Sequence, residues 1–227
     1  MAGPTFFRQE STLELTAFEK LLKSGKLNYP IMIFAGPENF LKEKTFSRMV
    51  NSLIPEEDRR DNVTRTGSSA KELPDVLQQI FSFTFNSSPR VFLIQDIDVA
   101  TAKQRRDFVD KLSQGGIPAD TFIIFAVSDT RIAGEIAGKF KQQSERIDFW
   151  APFANQLAAW VKSQASELGA ELNNEAADVL IELVGSDLAT LHQEVGKLAL
   201  SARGKKIGPS EVKAGVAYLR QDNIFDF

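Results

Sequence analysis

Residues 36 to 45 read GPENFLKEKT and follow the apolar run IMIFA that begins at Ile31. A strand that runs into a glycine turn and then a charged helix is the layout of a phosphate-binding loop, GxxxxGK(S/T). In that loop backbone N–H groups wrap the phosphates, a lysine reaches the outer ones and a hydroxyl holds magnesium. Counted from Gly36, Leu41 takes the place of the second glycine, Lys42 that of the lysine and Glu43 that of the hydroxyl. Leu41 puts a side chain where the backbone must approach a phosphate, and Glu43 adds negative charge beside it. The shifted pair Lys44 and Thr45 falls too far into the helix to replace them. The spacing therefore predicts the scaffold of a nucleotide site without its chemistry.

The remaining candidates are weighed against plainer roles. The run VFLIQDID sets Asp96 where phosphate-loop enzymes place a magnesium-holding aspartate, but Ile97 stands where a water-positioning glutamate is needed. The chain has one histidine, His192, and no cysteine, which excludes a disulfide scaffold and thiolate zinc sites and leaves no metal site to propose. His192 reads as a helix-surface or partly packed residue. The basic clusters Lys103, Arg105, Arg106 and Arg203, Lys205, Lys206 read as solvated faces, the first diluted by Asp107 and Asp110. The segment QQIFSFTFNSSPR, from Gln78 to Arg90, is the least ordinary: Phe81, Phe83 and Phe85 run at spacing two out of a helix and into Ser and Asn. A core takes one or two such rings. The others form either a packed lid or an aromatic anchor for a groove on a protein partner, and the polar ring around them favours the anchor.

These positions must be held by a chain of 227 residues with 43% hydrophobic and 25% charged residues and a net charge of −3, long enough for two modest domains and without a global basic footprint for nucleic acid or acidic lipid. The amino terminus lacks an apolar core of signal-peptide length, so a cytoplasmic protein with no membrane segment is expected. Eighteen Phe against two Tyr and two Trp favour large dry contacts. From Pro30 to Phe149 β-rich runs alternate with helical ones, which predicts an α/β layer fold with a mainly parallel sheet. Strands are expected at IMIFAG, NVTRT from Asn62, RVFLIQD, TFIIFAV and RIDFW from Arg146, with VFLI and FIIFAV central because they are apolar on both faces. Helices are expected at Thr12 to Lys23 and at 38–53, 69–81, 100–113 and 131–141. Beyond Ala151 the pattern is helical only, with caps at Asn173 or Asn174 and Ser186, a stop at Gly185 and a last helix opening at Pro209. The closing QDNIFDF reads as a domain boundary.

In this order and spacing the segments resemble the delta subunit family of the bacterial DNA polymerase III clamp loader, over nearly the whole chain. IMIFAGPENFLKEKT is similar to the family's (L/I)-x-G-x-E-x-(F/Y)-L opening at Gly36, Phe40 and Leu41, and GAELNNEAADVLIELVGSDLATLHQEVGKLAL and DNIFDF resemble its later motifs. The resemblance implies an AAA+-like domain over 1–150 with a degenerate phosphate loop (Gly36, Leu41, Lys42, Glu43), a helical lid over 151–220 and the start of a collar domain at 221–227. It implies a non-catalytic subunit of a DNA polymerase holoenzyme, without cofactor, that binds and opens the ring-shaped sliding clamp. Other loader subunits would associate through the collar, DNA would be touched weakly or indirectly, and the chain alone would be monomeric. The family's clamp-contacting apolar pair maps onto Phe85 and Phe83 with Thr84 between them, a departure from two adjacent residues. The rival readings are a phosphate-loop kinase or ATPase with an aberrant loop, and a helical scaffold that binds DNA directly.

Overall fold

A computed structural model describes residues 12–13, 15–24, 27, 29–66, 72–82, 88–202, 204 and 206–222. The chain divides into two compact units, Met1–Trp150 and Ala151–Phe227. In the first, the elements in order are β1 (Thr12–Leu13), α1 (Leu15–Lys23), β2 (Ile31–Ala35), α2 (Asn39–Leu53), α3 (Arg59–Asn62), β3 (Val63–Arg65), α4 (Leu73–Phe81), β4 (Arg90–Gln95), α5 (Ala102–Gly115), β5 (Thr121–Val127), α6 (Thr130–Phe140) and β6 (Ser144–Asp148). Among the described residues the strands form one sheet of order β1-β6-β2-β5-β4-β3. Every neighbouring pair in it is parallel.

The apolar runs are continuous because each of these strands is covered twice. Side chains alternate across a pleated strand, so Ile31, Ile33 and Ala35 join Phe92, Ile94, Ile123 and Phe125 under α4, α5 and α6. Met32 and Phe34 join Val91, Leu93 and Ile124 on the opposite face, under Phe18 and Leu22 of α1 and Phe46, Met49 and Val50 of α2. Phenylalanine fills both layers. Phe34 packs edge-on against Phe18 at 6.0 Å and lies 4.9 Å from the Phe149 ring, while Phe125 sits 6.3 Å from Phe108 and 6.2 Å from Phe140.

The expected strands at Ile31, Arg90 and Thr121 form as read, each paired on both sides. Several boundaries differ: β6 is Ser144–Asp148 and does not start at Arg146, and α5 is Ala102–Gly115 against the expected 100–113. Thr12 and Leu13 are not the start of α1 but pair with Arg146 and Ile147, because β6 would otherwise present an open edge of unpaired backbone groups. Asn62 ends α3 instead of opening β3. Its buried amide is spent on the Ser88 carbonyl at 3.2 Å. Helix α6 begins at Thr130, where the Asp129 carboxylate accepts from the Arg131 N–H at 2.8 Å.

The second unit contains α7 (Ala154–Glu167), β7 (Glu171–Leu172), α8 (Asn174–Val184), α9 (Leu188–Ala202), β8 (Lys206–Ile207) and α10 (Pro209–Asp222). Leu157, Val161, Leu180, Leu191, Val195 and Val212 are buried among them. The Asn173 side chain caps α8, accepting from the Ala176 N–H at 2.7 Å. The cap of α9 is Asp187 and not Ser186: its carboxylate accepts from the Thr190 N–H at 2.8 Å, a stronger acceptor than a hydroxyl at a helix start. The parallel ladder of β7 and β8 adds two short strands to a region read as helical only. Two-residue strands leave no period to read. No helix of the described residues is long and apolar enough to cross a membrane.

Gly36 is a tightly enclosed backbone position of the first unit. It holds φ at 115°, and a Cβ built on it would lie 2.3 Å from the Phe149 carbonyl oxygen. Gly36→Ala therefore combines left-handed backbone strain with a backbone clash, and urea unfolding should show a loss of about 2–4 kcal/mol.

Candidate functional site

The phosphate-loop scaffold forms at the carboxyl end of β2, where open α/β sheets place their ligand crevice. Its hydrogen-bonding groups are taken up by the protein. The Gly36 N–H donates to the Val127 carbonyl at 2.9 Å, the Glu38 N–H to the Phe149 carbonyl at 3.3 Å, and the Phe149 N–H to the Ala35 carbonyl at 2.7 Å. The loop is thereby stitched to the ends of β5 and β6. At the start of α2, where exposed N–H groups would attract an anion, the Glu38 carboxylate caps the helix and accepts from the Phe40 N–H at 3.0 Å.

Lys42 does not reach outward. It is 5% exposed, and its ammonium donates to the Gly36 carbonyl at 2.8 Å. Burial pulls its pKa below the ordinary 10.5, while Asp98, Asp96 and Glu38 push the other way. Leu41 is half-buried against the cluster around Phe34 and Phe46. Glu43 accepts two bonds from the Arg65 guanidinium at 2.9 and 2.6 Å, and that guanidinium lies 4.5 Å over the Phe46 ring. The cavity that remains holds about 250 Å³ and is lined in part by Lys42, Glu43, Gln95 and Asp96. Two of the lining side chains, Glu43 and Asp96, are carboxylates.

Two aspartates follow β4. Asp96 follows β4 in a left-handed conformation with φ at 49°. Asp98 accepts from the N–H groups of Ser128 and Asp129 at 3.0 and 3.2 Å and so fastens the turn into α6. His192 is half-buried on α9 with Nδ1 3.1 Å from the oxygen of the buried Gln164. Arg105 donates to the Ala100 carbonyl at 3.1 Å, and Lys206 pairs with Glu171 at 2.9 Å. Arg203 and Lys205 lie outside the described residues, as do Phe83, Thr84 and Phe85.

What is described is the frame around those three. Phe81, the last residue of α4, is 39% exposed, and its ring lies where a Cβ on Gly115 would be 2.3 Å from its tip. Arg90, 9% exposed, donates to the carbonyls of Gln79, Ile80 and Ser82 at 3.0, 2.9 and 3.2 Å and to the Thr121 hydroxyl at 3.2 Å. Beyond the segment, the Ser88 hydroxyl donates to the Asp58 carboxylate. Sequence reasoning passed over Arg90 and the inward turn of Lys42. The only signal was an arginine or lysine set directly against an apolar run.

Lys42→Met keeps the length of the side chain and leaves the Gly36 carbonyl without its donor, which should cost about 1–3 kcal/mol at neutral pH. Because the folded chain holds the Lys42 pKa below 10.5, the unfolded chain binds more protons between the two values. Lys42 therefore contributes a stability that rises with pH across that interval. Denaturant titrations of both proteins through that range should show this slope in the parent and its loss in the variant.

No protein-family model matches the sequence. The chain is 21% identical over 216 residues to the DNA polymerase III subunit delta of Bacillus subtilis, covering 91% of this chain and 62% of the relative. Among solved structures it is similar to the Bacillus subtilis DNA clamp loader delta protein, with a TM-score of 0.66 and 19% identity over 86% of this chain and 60% of that one. It is also similar to the RuvB Holliday junction branch migration motor of Thermotoga maritima, with a TM-score of 0.51 and 13% identity over 90% of this chain and 66% of that one. At these identities the structural likeness shows the fold alone, an AAA+-like α/β unit followed by a small, mainly helical one. The chain spans about three fifths of the length of its delta relatives, and in both sequence and fold it is similar to the delta subunit of bacterial DNA polymerase III.

Proposed function

We propose that this chain acts as a delta-type subunit in clamp loading for DNA polymerase III, binding the ring-shaped sliding clamp and holding one of its interfaces open without hydrolysing ATP. The observation that carries the reading is the sequence similarity to a delta subunit across 91% of the chain, which spans the sheet unit and the helical unit together. The loop geometry supports the absence of nucleotide chemistry. An ammonium that serves its own loop carbonyl and a helix start capped by a carboxylate each withdraw a group that phosphate binding uses, and Glu43, tied to Arg65, stands where that loop needs a hydroxyl.

The contact with the clamp is assigned to Phe85 and Phe83, flanking Thr84, between α4 and β4. A phenylalanine ring buries about 150–250 Å² in a protein groove, enough for an interface anchor. Partnership with the other loader subunits and a weak or indirect contact with DNA belong to the same reading. The chain needs no cofactor for it and carries no catalytic role.

Calorimetric titration against a bacterial sliding clamp tests the assignment. Phe85→Ala should weaken binding by about 2 kcal/mol or more with little change in melting temperature. A large fall in melting temperature with unchanged affinity of the folded fraction would make Phe85 a core residue and move the anchor to Phe83. In the same instrument ATP should give no dissociation constant tighter than about 10 μM. A tighter one would favour the kinase or ATPase reading.

A further inference from the structure

A second cavity, of about 310 Å³, lies beside the carboxyl-terminal half of α2, between that helix, α3 and β3. Its floor is apolar, made by the buried Phe46 and Val50 and the half-buried Val63. The rest of its lining carries hydrogen-bond donors. Ser47 and Asn51, one turn apart on α2, share the wall with Arg59, Arg60 and Arg65. Among the described residues no carboxylate lines it.

Three guanidinium groups around one cavity repel one another, and one of them is neutralised in place. Arg65 gives both terminal nitrogens to Glu43 at 2.9 and 2.6 Å, which holds its guanidinium 4.5 Å over the Phe46 ring. It is a wall of the cavity and not a free donor. Arg59 donates from Nε to the Ile54 carbonyl at 3.1 Å, where α2 ends. That bond fixes its stem and leaves its two terminal nitrogens for another acceptor. Arg60 is exposed and, among the described residues, pairs with no carboxylate. The acid beside them on the chain, Asp58, accepts from the Ser88 hydroxyl instead.

Two uncompensated guanidinium groups call for a ligand of double negative charge. An arginine fork matches phosphate geometry, and a phosphomonoester brings a charge of roughly −1.5 to −2 at neutral pH with three acceptor oxygens. A carboxylate would bring one charge and two oxygens. The volume stands at the small end of ligand pockets, enough for one phosphate and one ring but not for a polymer.

We propose that the cavity between α2, α3 and β3 binds a small phosphomonoester, with the phosphate on Arg59 and Arg60 and the ring on the floor of Phe46, Val50 and Val63. Ser47 and Asn51 face its polar edge. A mononucleotide and a smaller phosphorylated ring compound share this chemistry. The site is separate from the degenerate phosphate loop and does not depend on the clamp-binding reading.

NMR titration of the chain at pH 8, where the phosphate is a dianion, tests it with phenyl phosphate as the probe. Binding should saturate with a dissociation constant of roughly 0.1–1 mM, and the amide shifts should centre on residues 47–51 and 59–65. Phenyl sulfate, with the same shape and one charge, should bind about fivefold more weakly or worse. Inorganic phosphate, which has nothing for the apolar floor, should also bind more weakly. Arg60→Gln, at an exposed position, should weaken phenyl phosphate about tenfold with an unchanged melting temperature. Arg59→Gln should do the same, and if it does not fold Arg60→Gln decides alone. Adenosine monophosphate binding tighter than phenyl phosphate would support the site with a nucleotide as its ligand, and weaker binding there would support it with the smaller ring compound. Shifts centred on Gly36 and Lys42, equal affinity for phenyl sulfate or inorganic phosphate, or an Arg60→Gln variant that binds as the parent does would overturn the site.

Discussion

The Lys42 ammonium, 2.8 Å from the carbonyl of Gly36, closes the loop that follows β2, and the geometry of the surrounding sheet ends depends on that loop. Gly36 can press against the Phe149 backbone only because it has no Cβ. That approach lets the ends of β5, β2 and β6 be joined by the bonds from Gly36, Glu38 and Phe149. In a nucleotide-binding relative of this architecture the bound phosphates and their metal would order the loop. Here a side chain from the first turns of α2 closes the loop on its own carbonyl. A buried ammonium is costly by itself. Its carbonyl partner and the negative potential of Asp98, Asp96 and Glu38 offset part of that cost.

The same principle recurs elsewhere around the sheet. Arg90 donates to the carbonyls of Gln79, Ile80 and Ser82 at the end of α4, and Asp98 collects two N–H groups at the entry to α6. In each case a charged side chain serves backbone groups. A unit that keeps the layered sheet of a nucleotide enzyme while turning its charges inward is suited to act as a rigid lever in a larger assembly.

How much of this was legible in the sequence depended on the range of the interactions. Strands β2, β4 and β5 were readable because burial on both faces forces unbroken apolar runs, and Asn173 and Gly185 were readable because capping acts within a few residues. The pairing of Thr12 with Arg146 was not, since a two-residue edge strand is specified by its partner and not by its own pattern. Asp187 displaced Ser186 as a cap by a shift of one residue, where local preference barely separates two good candidates. Glu43 and Leu41 could be judged from type alone. The target of Lys42 and the three carbonyls of Arg90 could not, because a long side chain can satisfy groups on any element within its reach and leaves no spacing to record it. Phe83 and Phe85 were singled out by composition and by the family resemblance, and the described residues supply only their surroundings.

On the proposed reading this chain opens a clamp by binding alone. A sliding clamp labelled with a fluorescent donor and acceptor across one subunit interface measures this directly when the chain is added without any nucleotide. The account predicts a saturable fall in energy transfer as the interface separates, unchanged by later addition of ATP. A clamp that binds the chain to saturation and keeps its full energy transfer, or that opens only when ATP is present, would contradict it.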